Sequence, residues 1–314
     1  MLISNLVTYF PDEISKEIKE NFEDDIEEIR LRVDKPLILK FNKREAALKT
    51  IASQEIIIKT LQKICHNSIY SFQNQIREGY ITVKGGHRIG ITGNCVIENE
   101  KVSNINYISS LNFRVAKEIK ESSSELLKYV LDLENNSIHS TLIVSPPGVG
   151  KTTVLRDLIR KISTGIEKPK FVGINVGLVD ERGEIAAMYK GIPQNDVGIR
   201  TDVLDNIPKA IGMKMLIRSM APKVISADEI GSSDEIEPIN YAICSGIKGI
   251  FTAHGSNLEE ISINPTLKIL LNLNVFERII FLSDKNQKAQ IQAVYRLNKK
   301  TLEYLVMEWF YAIG

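Results

Sequence analysis

The chain has 314 residues, which is enough for one large domain or two of ordinary size. Its 40 Lys and Arg residues face 39 Asp and Glu residues, and the resulting formal charge of +1 excludes a global basic field for nucleic-acid binding. An apolar share of 43% beside 25% charged residues is ordinary for a globular protein, and no run of about 18 uncharged apolar residues predicts a transmembrane helix.

The three cysteines, Cys65, Cys95 and Cys244, are widely separated and show no Cys-x-x-Cys spacing. This distribution argues against a disulfide framework and a zinc site, and it is typical of a reducing compartment. The start Met1-Leu2-Ile3 lacks a basic region and a long apolar core, so we expect no secretory signal. Together these features predict a soluble, intracellular protein.

Residues 1–120 are expected to form a first domain of mixed α+β type, without a catalytic motif of its own. Alternating apolar and polar residues predict strands, and apolar residues at helical spacing predict a helix. The predicted elements are a strand over residues 29–33, a second strand over 37–41, a helix over 56–64 with Ser53 as its N-cap, and a hairpin over 80–93 that turns at Gly85-Gly86.

Residues 121–314 are expected to form a second domain. The polar segment over residues 118–124 is either a linker or the capping lead-in to the next helix. Apolar strands alternate with helices here, which predicts a mainly parallel sheet covered on both faces. The predicted strands lie over residues 142–144, 171–176, 224–225, 249–253, 278–283 and 290–297, and the predicted helices over 125–133, 154–162, 207–219 and 235–244. The apolar tail, residues 302–313, is too short to span a bilayer and is expected to pack on the domain.

The most informative segment is residues 145–153, which read Ser-Pro-Pro-Gly-Val-Gly-Lys-Thr-Thr between an apolar strand and a helix. A strand, a glycine-bearing loop and a helix that opens with Lys-Thr predict a phosphate-binding P-loop. Glycines let the backbone N–H groups turn inward, and the helix adds its N-terminal amides and dipole. Lys151 can neutralise the β- and γ-phosphates of ATP, and the Thr152 hydroxyl can bind Mg²⁺. The predicted nucleotide-binding residues are Ser145, Gly148, Val149, Gly150, Lys151, Thr152 and Thr153.

One position of this loop departs from the P-loop pattern. Ser145 stands where G-x-x-x-x-G-K-[ST] has glycine, and serine gives the backbone less freedom. The alternative is a loop that reads Gly-Val-Gly-Lys-Thr by chance. The flanking strand and helix, together with a second motif downstream, favour nucleotide binding.

The second motif is a pair of carboxylates, Asp228-Glu229, that ends the apolar strand beginning at Val224. Ligands of parallel sheets bind outside the carboxyl ends of the strands, so this pair is expected beside the P-loop if the two strands are neighbours. Asp228 would then bind the Mg²⁺, and Glu229 would polarise the attacking water. The alternative for an isolated Asp-Glu pair is a helix N-cap, but the P-loop upstream favours the catalytic interpretation.

Two further segments are expected at the same edge of the sheet. Asp180-Glu181-Arg182-Gly183-Glu184 follows a strand, and its acids are candidates for a water-orienting base or for groups behind the metal. A solvated turn held by ion pairs is the other interpretation. His254 ends the next strand and is either a sensor of the γ-phosphate or a structural residue.

Phosphoryl transfer also requires positive charge near the transition state, which a neighbouring subunit often supplies as arginine. The candidates are Arg182, Arg200 and Arg218 in the nucleotide domain and Arg88 and Arg114 in the first domain. The sequence does not distinguish between them, and a surface ion pair is the alternative for each.

These residues resemble a known family. The runs Glu28–Arg32, Gly86–Gly93, Val179–Ile185, Arg218–Pro222 and Ala227–Gly231 are similar to the stage III sporulation protein AA family, which in turn resembles the ring ATPases of type II and type IV secretion and of pili. The resemblance covers nearly the whole chain and is more specific than the P-loop alone.

The resemblance implies an N-terminal domain followed by a RecA-like P-loop ATPase domain that hydrolyses ATP with Mg²⁺. It implies a homo-hexamer in the mother cell that associates with the membrane through channel proteins and powers a secretion-like complex during endospore formation. Residues Asp180–Glu184 would correspond to the acidic box of those ATPases, and Thr252-Ala253-His254 to their histidine box. Among the arginines named above, Arg218, which lies in one of the similar runs, is taken as a catalytic candidate.

Two positions differ from the ring ATPases, which usually have Glu at the position of Asp180 and lack the aspartate found at Asp228. The catalytic base is therefore Glu229 or a member of the acidic box, and we favour Glu229. Two other functions are compatible with the sequence: a nucleic-acid-dependent ATPase, against which the near-zero charge counts, and a nucleotide-binding structural ring with slow hydrolysis.

Overall fold

A computed structural model describes residues 6–116, 119–283 and 289–310, which divide into two compact units. The first unit contains the described residues up to 116 together with Ala187–Asn195, and the second contains the remainder. Within the first unit, the Gln194 side chain accepts a hydrogen bond of 2.8 Å from the Gly85 amide. Nothing in the sequence pattern marks the excursion of residues 187–195.

The first unit is built on a six-stranded antiparallel sheet. Its strands are β1 (Ile26–Arg32), β2 (Lys35–Phe41), β3 (Glu45–Ala52), β4 (Tyr80–Val83), β5 (His87–Glu98) and β6 (Lys101–Arg114). They lie in the order β3-β2-β1-β6-β5-β4, and the predicted hairpin at Gly85-Gly86 is confirmed as the β4–β5 pair.

Alternation of residue types places one face of this sheet in a core. Ile29 and Leu31 of β1 are fully buried, whereas Arg30 and Arg32 lie on the opposite face. The α-helices in the described residues of this unit are α1 (Asp12–Glu20), α2 (Gln54–Ile64) and α3 (Gln73–Arg77). The predicted cap of α2 is confirmed, since the Ser53 hydroxyl accepts a hydrogen bond of 3.2 Å from the amide of Ile56.

The second unit contains a large mixed sheet and two small hairpins. Its strands are β7 (Leu131–Asp132), β8 (Ser137–Ile138), β9 (Thr141–Ser145), β10 (Gly165–Ile166), β11 (Phe171–Val172), β12 (Val176–Asp180), β13 (Thr201–Asp205), β14 (Val224–Ala227), β15 (Lys248–His254), β16 (Arg278–Ser283), β17 (Gln290–Asn298) and β18 (Glu303–Trp309). The order in the large sheet is β13-β12-β14-β15-β9-β16-β17-β18, parallel from β13 to β16 and antiparallel thereafter.

The helices of the second unit are α4 (Leu127–Val130), α5 (Lys151–Thr164), α6 (Lys209–Met220), α7 (Ile236–Cys244), α8 (Leu258–Ile263) and α9 (Pro265–Asn272). Among the described helices, none combines the length and the apolar composition that crossing a bilayer requires.

Two predicted elements differ in the structure. The helix expected over residues 125–133 is only the short α4, because the chain pairs as β7 with β8 from Leu131 onward. The strand expected from Phe171 is split into β11 and β12. Gly173 lies between them, so close to the end of α5 that an added Cβ would be 2.3 Å from the Ser163 carbonyl oxygen. The chain therefore bends there and enters the large sheet only at Val176.

Parallel strands bring several loops to one edge of the large sheet. His254 lies opposite Ser145 in the β15–β9 pair, and Val179 lies opposite Ala227 in the β12–β14 pair. Strands β9 and β14 are not neighbours, because β15 lies between them. The segments that follow β9, β12, β14 and β15 nevertheless open at the same carboxyl edge, where ligands of such sheets bind.

Candidate functional site

The loop between β9 and α5 has the backbone that a P-loop requires. Ser145 ends β9 in extended conformation, and its hydroxyl donates to the Pro146 carbonyl oxygen at 2.9 Å. Gly148 and Gly150 have φ values of 80° and 111°, a region that residues with a Cβ rarely adopt. The conformation therefore depends on these two glycines, and serine at position 145 is compatible with it.

The start of α5 is suited to binding an anion. Gly150 is the N-cap of the helix, and within the described chain no side chain caps it and no acidic residue lies in the first turn. The first amides of a helix lack intrahelical acceptors and carry the positive end of the dipole. These amides lie next to the Gly148–Gly150 loop, where they can bind a phosphate group.

Lys151 lies at the centre of a small network of charges. Its side chain is buried, and its ammonium is 3.4 Å from Glu229 Oε1 and 3.1 Å from His254 Nδ1. The other ring nitrogen of His254, Nε2, lies 3.0 Å from Glu229 Oε1. The three side chains thus form a closed triangle beside the P-loop.

Thr152 and Asp228 form a second contact between the P-loop helix and the end of β14. The Thr152 hydroxyl donates to Asp228 Oδ2 at 2.6 Å, and the hydroxyl of buried Thr252 donates to the other carboxylate oxygen, Oδ1. A hydroxyl and a carboxylate at this separation are hard oxygen ligands of the kind Mg²⁺ prefers. The residues present therefore fit a magnesium ion.

Glu229 follows in a conformation that is unfavourable for a residue with a side chain. Its φ is 52°, and left-handed backbone costs such a residue about 1–2 kcal/mol. Arg182 Nη1 donates to its Oε2 at 2.9 Å. Burial acts to raise the pKa of Glu229, but the charges of Lys151, His254 and Arg182 outweigh burial and hold that pKa below its usual range. Glu229 is therefore a carboxylate at neutral pH.

The acidic segment after β12 divides into buried and exposed members. Asp180 is buried, and its carboxylate accepts hydrogen bonds of 2.8–3.2 Å from the amides of Glu184, Ile185 and Ala186. Glu181 and Glu184 have exposed side chains on the rim of a cleft. The residues that line this cleft are Val179, Asp180, Glu181, Arg182, Glu184, Lys209, Asp228 and Glu229. The geometry makes Asp180 the anchor of the loop, while its catalytic role stays a prediction.

Replacing Asp180 by asparagine is expected to lower the free energy of unfolding by about 2 kcal/mol, because an amide donor would then face buried backbone N–H groups. Denaturant unfolding of the purified protein measures this loss. The matched control is Glu184→Gln, whose side chain is exposed. Equal stability of Asp180→Asn and wild type would contradict the anchoring role.

The structure brings one of the candidate arginines of this unit to the site and leaves two elsewhere. Arg182 contacts Glu229, as described. Arg200 Nη1 donates to the carbonyl oxygen of Ser163 at 3.0 Å, at the C-terminal end of α5. Arg218 is exposed in the last turn of α6, about 13 Å along the helix axis from Lys209 at its start. Arg200 therefore caps a helix, and Arg218 faces solvent in this chain.

Two residues of the site were not selected from the sequence as individual candidates. The Thr252 hydroxyl donates a hydrogen bond to Asp228. Thr252 lies among apolar residues of a strand, and nothing in that sequence pattern indicates a functional hydroxyl. Lys209 lies in the cleft, 2.8 Å from Glu235 and 3.7 Å from Glu181. A signal for Lys209 does exist, because a cation in the first turn of a helix opposes the helix dipole and indicates a nearby acid.

Comparison with known proteins gives the class of this fold. The ATPase DotB of Legionella pneumophila superposes with a TM-score of 0.59 at 13% identity, over 96% of this chain and 83% of that one. The pilus retraction motor PilT with bound ADP gives 0.56 at 16% identity, over 96% and 83% of the two chains. This chain thus shares their RecA-like fold, an α/β domain with a mainly parallel sheet preceded by a smaller α+β domain.

Comparison of sequences finds relatives with higher identity than these two solved structures. The family model for sporulation stage III, protein AA matches residues 3–302. Stage III sporulation protein AA of Bacillus subtilis is 37% identical over 271 residues, which cover 86% of this chain and 87% of the Bacillus protein. The chain belongs to the stage III sporulation protein AA family, and the resemblance inferred from its motifs is confirmed.

Proposed function

We propose that this protein is a Mg²⁺-dependent ATPase. The observation that carries the proposal is the convergence of Lys151, the Thr152–Asp228 pair and Glu229 at one edge of the sheet, beside a glycine loop and an uncapped helix N-terminus. Each group has the chemistry that cleavage of a terminal phosphate requires, namely a cation, hard oxygen ligands and a base.

The residues divide the work as follows. The amides of the Gly148–Gly150 loop bind the phosphates, and Lys151 neutralises their charge. Glu229 accepts the proton of the attacking water, since its low pKa keeps it ionised. His254, hydrogen-bonded to both Lys151 and Glu229, senses whether a terminal phosphate has drawn Lys151 away.

Thr152 and Asp228 would hold the magnesium ion, which when bound neutralises charge on the β- and γ-phosphate oxygens. Thr252 keeps the Asp228 carboxylate oriented for this purpose through its hydrogen bond to Oδ1. The remaining P-loop residues, Ser145, Val149 and Thr153, shape the loop and the first helical turn.

The family and the fold support the biological role that we propose. A homo-hexameric ring in the mother cell would bind channel proteins in the membrane and convert ATP hydrolysis into assembly of, or transport through, a complex between mother cell and forespore. Family membership supports the sporulation role, and the likeness to DotB and PilT supports the ATPase fold. Arg88, Arg114 and Arg218 are the candidates for an arginine that acts on a neighbouring subunit.

The test is direct measurement of binding and turnover with purified full-length protein. We expect calorimetry to show association with ATP only when Mg²⁺ is present at millimolar concentration, and phosphate release to follow. A folded protein that gives no heat of association under these conditions would refute the proposal.

A second candidate function is a nucleic-acid-dependent ATPase, favoured by one face of the first unit's sheet. Arg114 lies opposite Arg88 and Glu28 on adjacent strands, and Arg30 and Arg32 lie on the same face. Clustered arginines are the footprint of phosphate-backbone binding. DNA added at low salt would then stimulate hydrolysis in a salt-sensitive way, whereas an unchanged rate favours the channel-associated motor.

A further inference from the structure

Strand β15 binds the backbone N–H groups of the turn that follows β14. Glu229, at φ 52°, donates its amide N–H to the Thr252 hydroxyl oxygen at 2.7 Å. The next amide, that of Ile230, donates to the Thr252 carbonyl oxygen at 2.8 Å. One residue of β15 therefore fixes two successive N–H groups of the turn.

Lys209 binds the backbone carbonyl oxygens of the same turn. Its ammonium donates to the carbonyl oxygen of Glu229 and lies 3.3 Å from that of Asp228. Its third partner is Glu235 Oε1 at 2.8 Å. An ammonium has three N–H donors, so these contacts use its full capacity. The lysine side chain is only 12% exposed, which shields the contacts from water.

Lys209 is itself held in a fixed position. Glu235 is buried, and its other oxygen, Oε2, accepts from the amides of Gly231 and Ser232 at 2.8 and 3.1 Å. Ser232 and Glu235 form the capping box before α7. Lys209 thus connects the start of α6, the turn after β14 and the start of α7. Since a cation opposes the dipole at the start of α6, helix stability does not account for its place.

We infer that Lys209 is a positioning residue for the catalytic carboxylates, an inference that rests on the proposed ATPase function. By binding two successive carbonyl oxygens, it holds the left-handed backbone that directs the Asp228 carboxylate to Thr152 and the Glu229 carboxylate to Lys151. Its contacts with these two residues are with their main chain, so it acts through them rather than on the phosphates. Without it, the turn relaxes toward right-handed backbone and the Glu229 carboxylate leaves the P-loop.

The test compares Lys209→Met, which keeps the length of the side chain and removes its charge, with wild type. We expect kcat to fall by roughly tenfold or more while the Kd for Mg·ATP changes by less than about threefold, because the P-loop is intact. Amide hydrogen exchange over residues 229–231 is expected to accelerate. The matched control is Lys214→Met on the same helix, where the lysine pairs with the exposed Glu237; turnover should there equal wild type.

A double variant separates positioning from a general effect on stability. If Lys209 acts through Glu229, then Lys209→Met combined with Glu229→Gln loses no more activity than Glu229→Gln alone. Three outcomes would each overturn the inference. The first is a double variant whose loss of activity is the product of the two single losses, and the second is wild-type turnover in Lys209→Met. The third is a loss of nucleotide affinity in Lys209→Met as large as its loss of kcat. Failure of the proposed ATPase function would appear as absent hydrolysis in the wild-type protein. Failure of the inference about Lys209 would appear as unchanged amide hydrogen exchange over residues 229–231 in Lys209→Met, a measurement that does not require hydrolysis.

Discussion

Replacement of Lys151 by alanine is expected to lower ATP turnover by roughly 10²–10³-fold, because a preorganised cation beside the developing charge is lost. The ammonium of Lys151 lies in a buried position next to the P-loop, so no solvent cation replaces it equivalently. Affinity for Mg·ATP should weaken as well. Phosphate release and calorimetry on the same preparation measure the two effects.

The exposed Lys170 supplies the control, and Lys170→Ala should behave as wild type. In cells, a strain that carries Lys151→Ala in place of the native residue is expected to fail in sporulation. Normal sporulation by that strain would defeat the motor proposal, even if the purified protein hydrolysed ATP.

Glu229→Gln is expected to reduce kcat by roughly 10²–10³-fold through loss of the base, with nucleotide binding retained or tightened. The expected gain in affinity has a physical cause. Glu229 Oε1 is 3.4 Å from Lys151, so the carboxylate competes with a bound triphosphate for the ammonium. A neutral amide competes less. Single-turnover hydrolysis and a nucleotide titration separate the two effects.

Glu184→Gln is the matched control for this variant, since Glu184 belongs to the acidic segment but has an exposed side chain. It is expected to retain turnover within about threefold of wild type. A larger loss in Glu184→Gln than in Glu229→Gln would move the base to the acidic segment. Turnover that is negligible in wild type and unchanged in Glu229→Gln would favour a nucleotide-binding ring over a motor.

Much of the fold could be predicted because local patterns and tertiary environment agree. Strand β9 is fully buried and is apolar over Leu142–Val144, and α2 begins at its predicted N-cap. The missed elements lack such agreement. Strand β13 reads Thr-Asp-Val-Leu-Asp, with partly exposed residues throughout, and it exists because β12 offers it an edge to pair with. The short α4 shows the converse, since pairing of β7 with β8 ends a helical pattern early.

The candidate site was predictable where chemistry resides in a contiguous motif. Residues of the P-loop and the Asp228-Glu229 pair follow strands whose carboxyl ends share an edge, so their proximity follows from parallel topology. The division of roles within the acidic segment was not predictable, because only the bend of the chain aims three amides at Asp180. Lys209 was missed because only the fold brings its partners together, namely two carbonyl oxygens and the buried carboxylate of Glu235.

The excursion of residues 187–195 into the first unit has a practical consequence. The polypeptide passes between the two units at three points, so a cut near residue 119 leaves residues 187–195 on the fragment that holds the second unit. A fragment that starts there would carry Gln194 without the Gly85 amide it contacts, and a fragment that ends there would lose that acceptor. A single truncation near residue 119 therefore divides the first unit, whereas substitution in the intact polypeptide keeps both units whole.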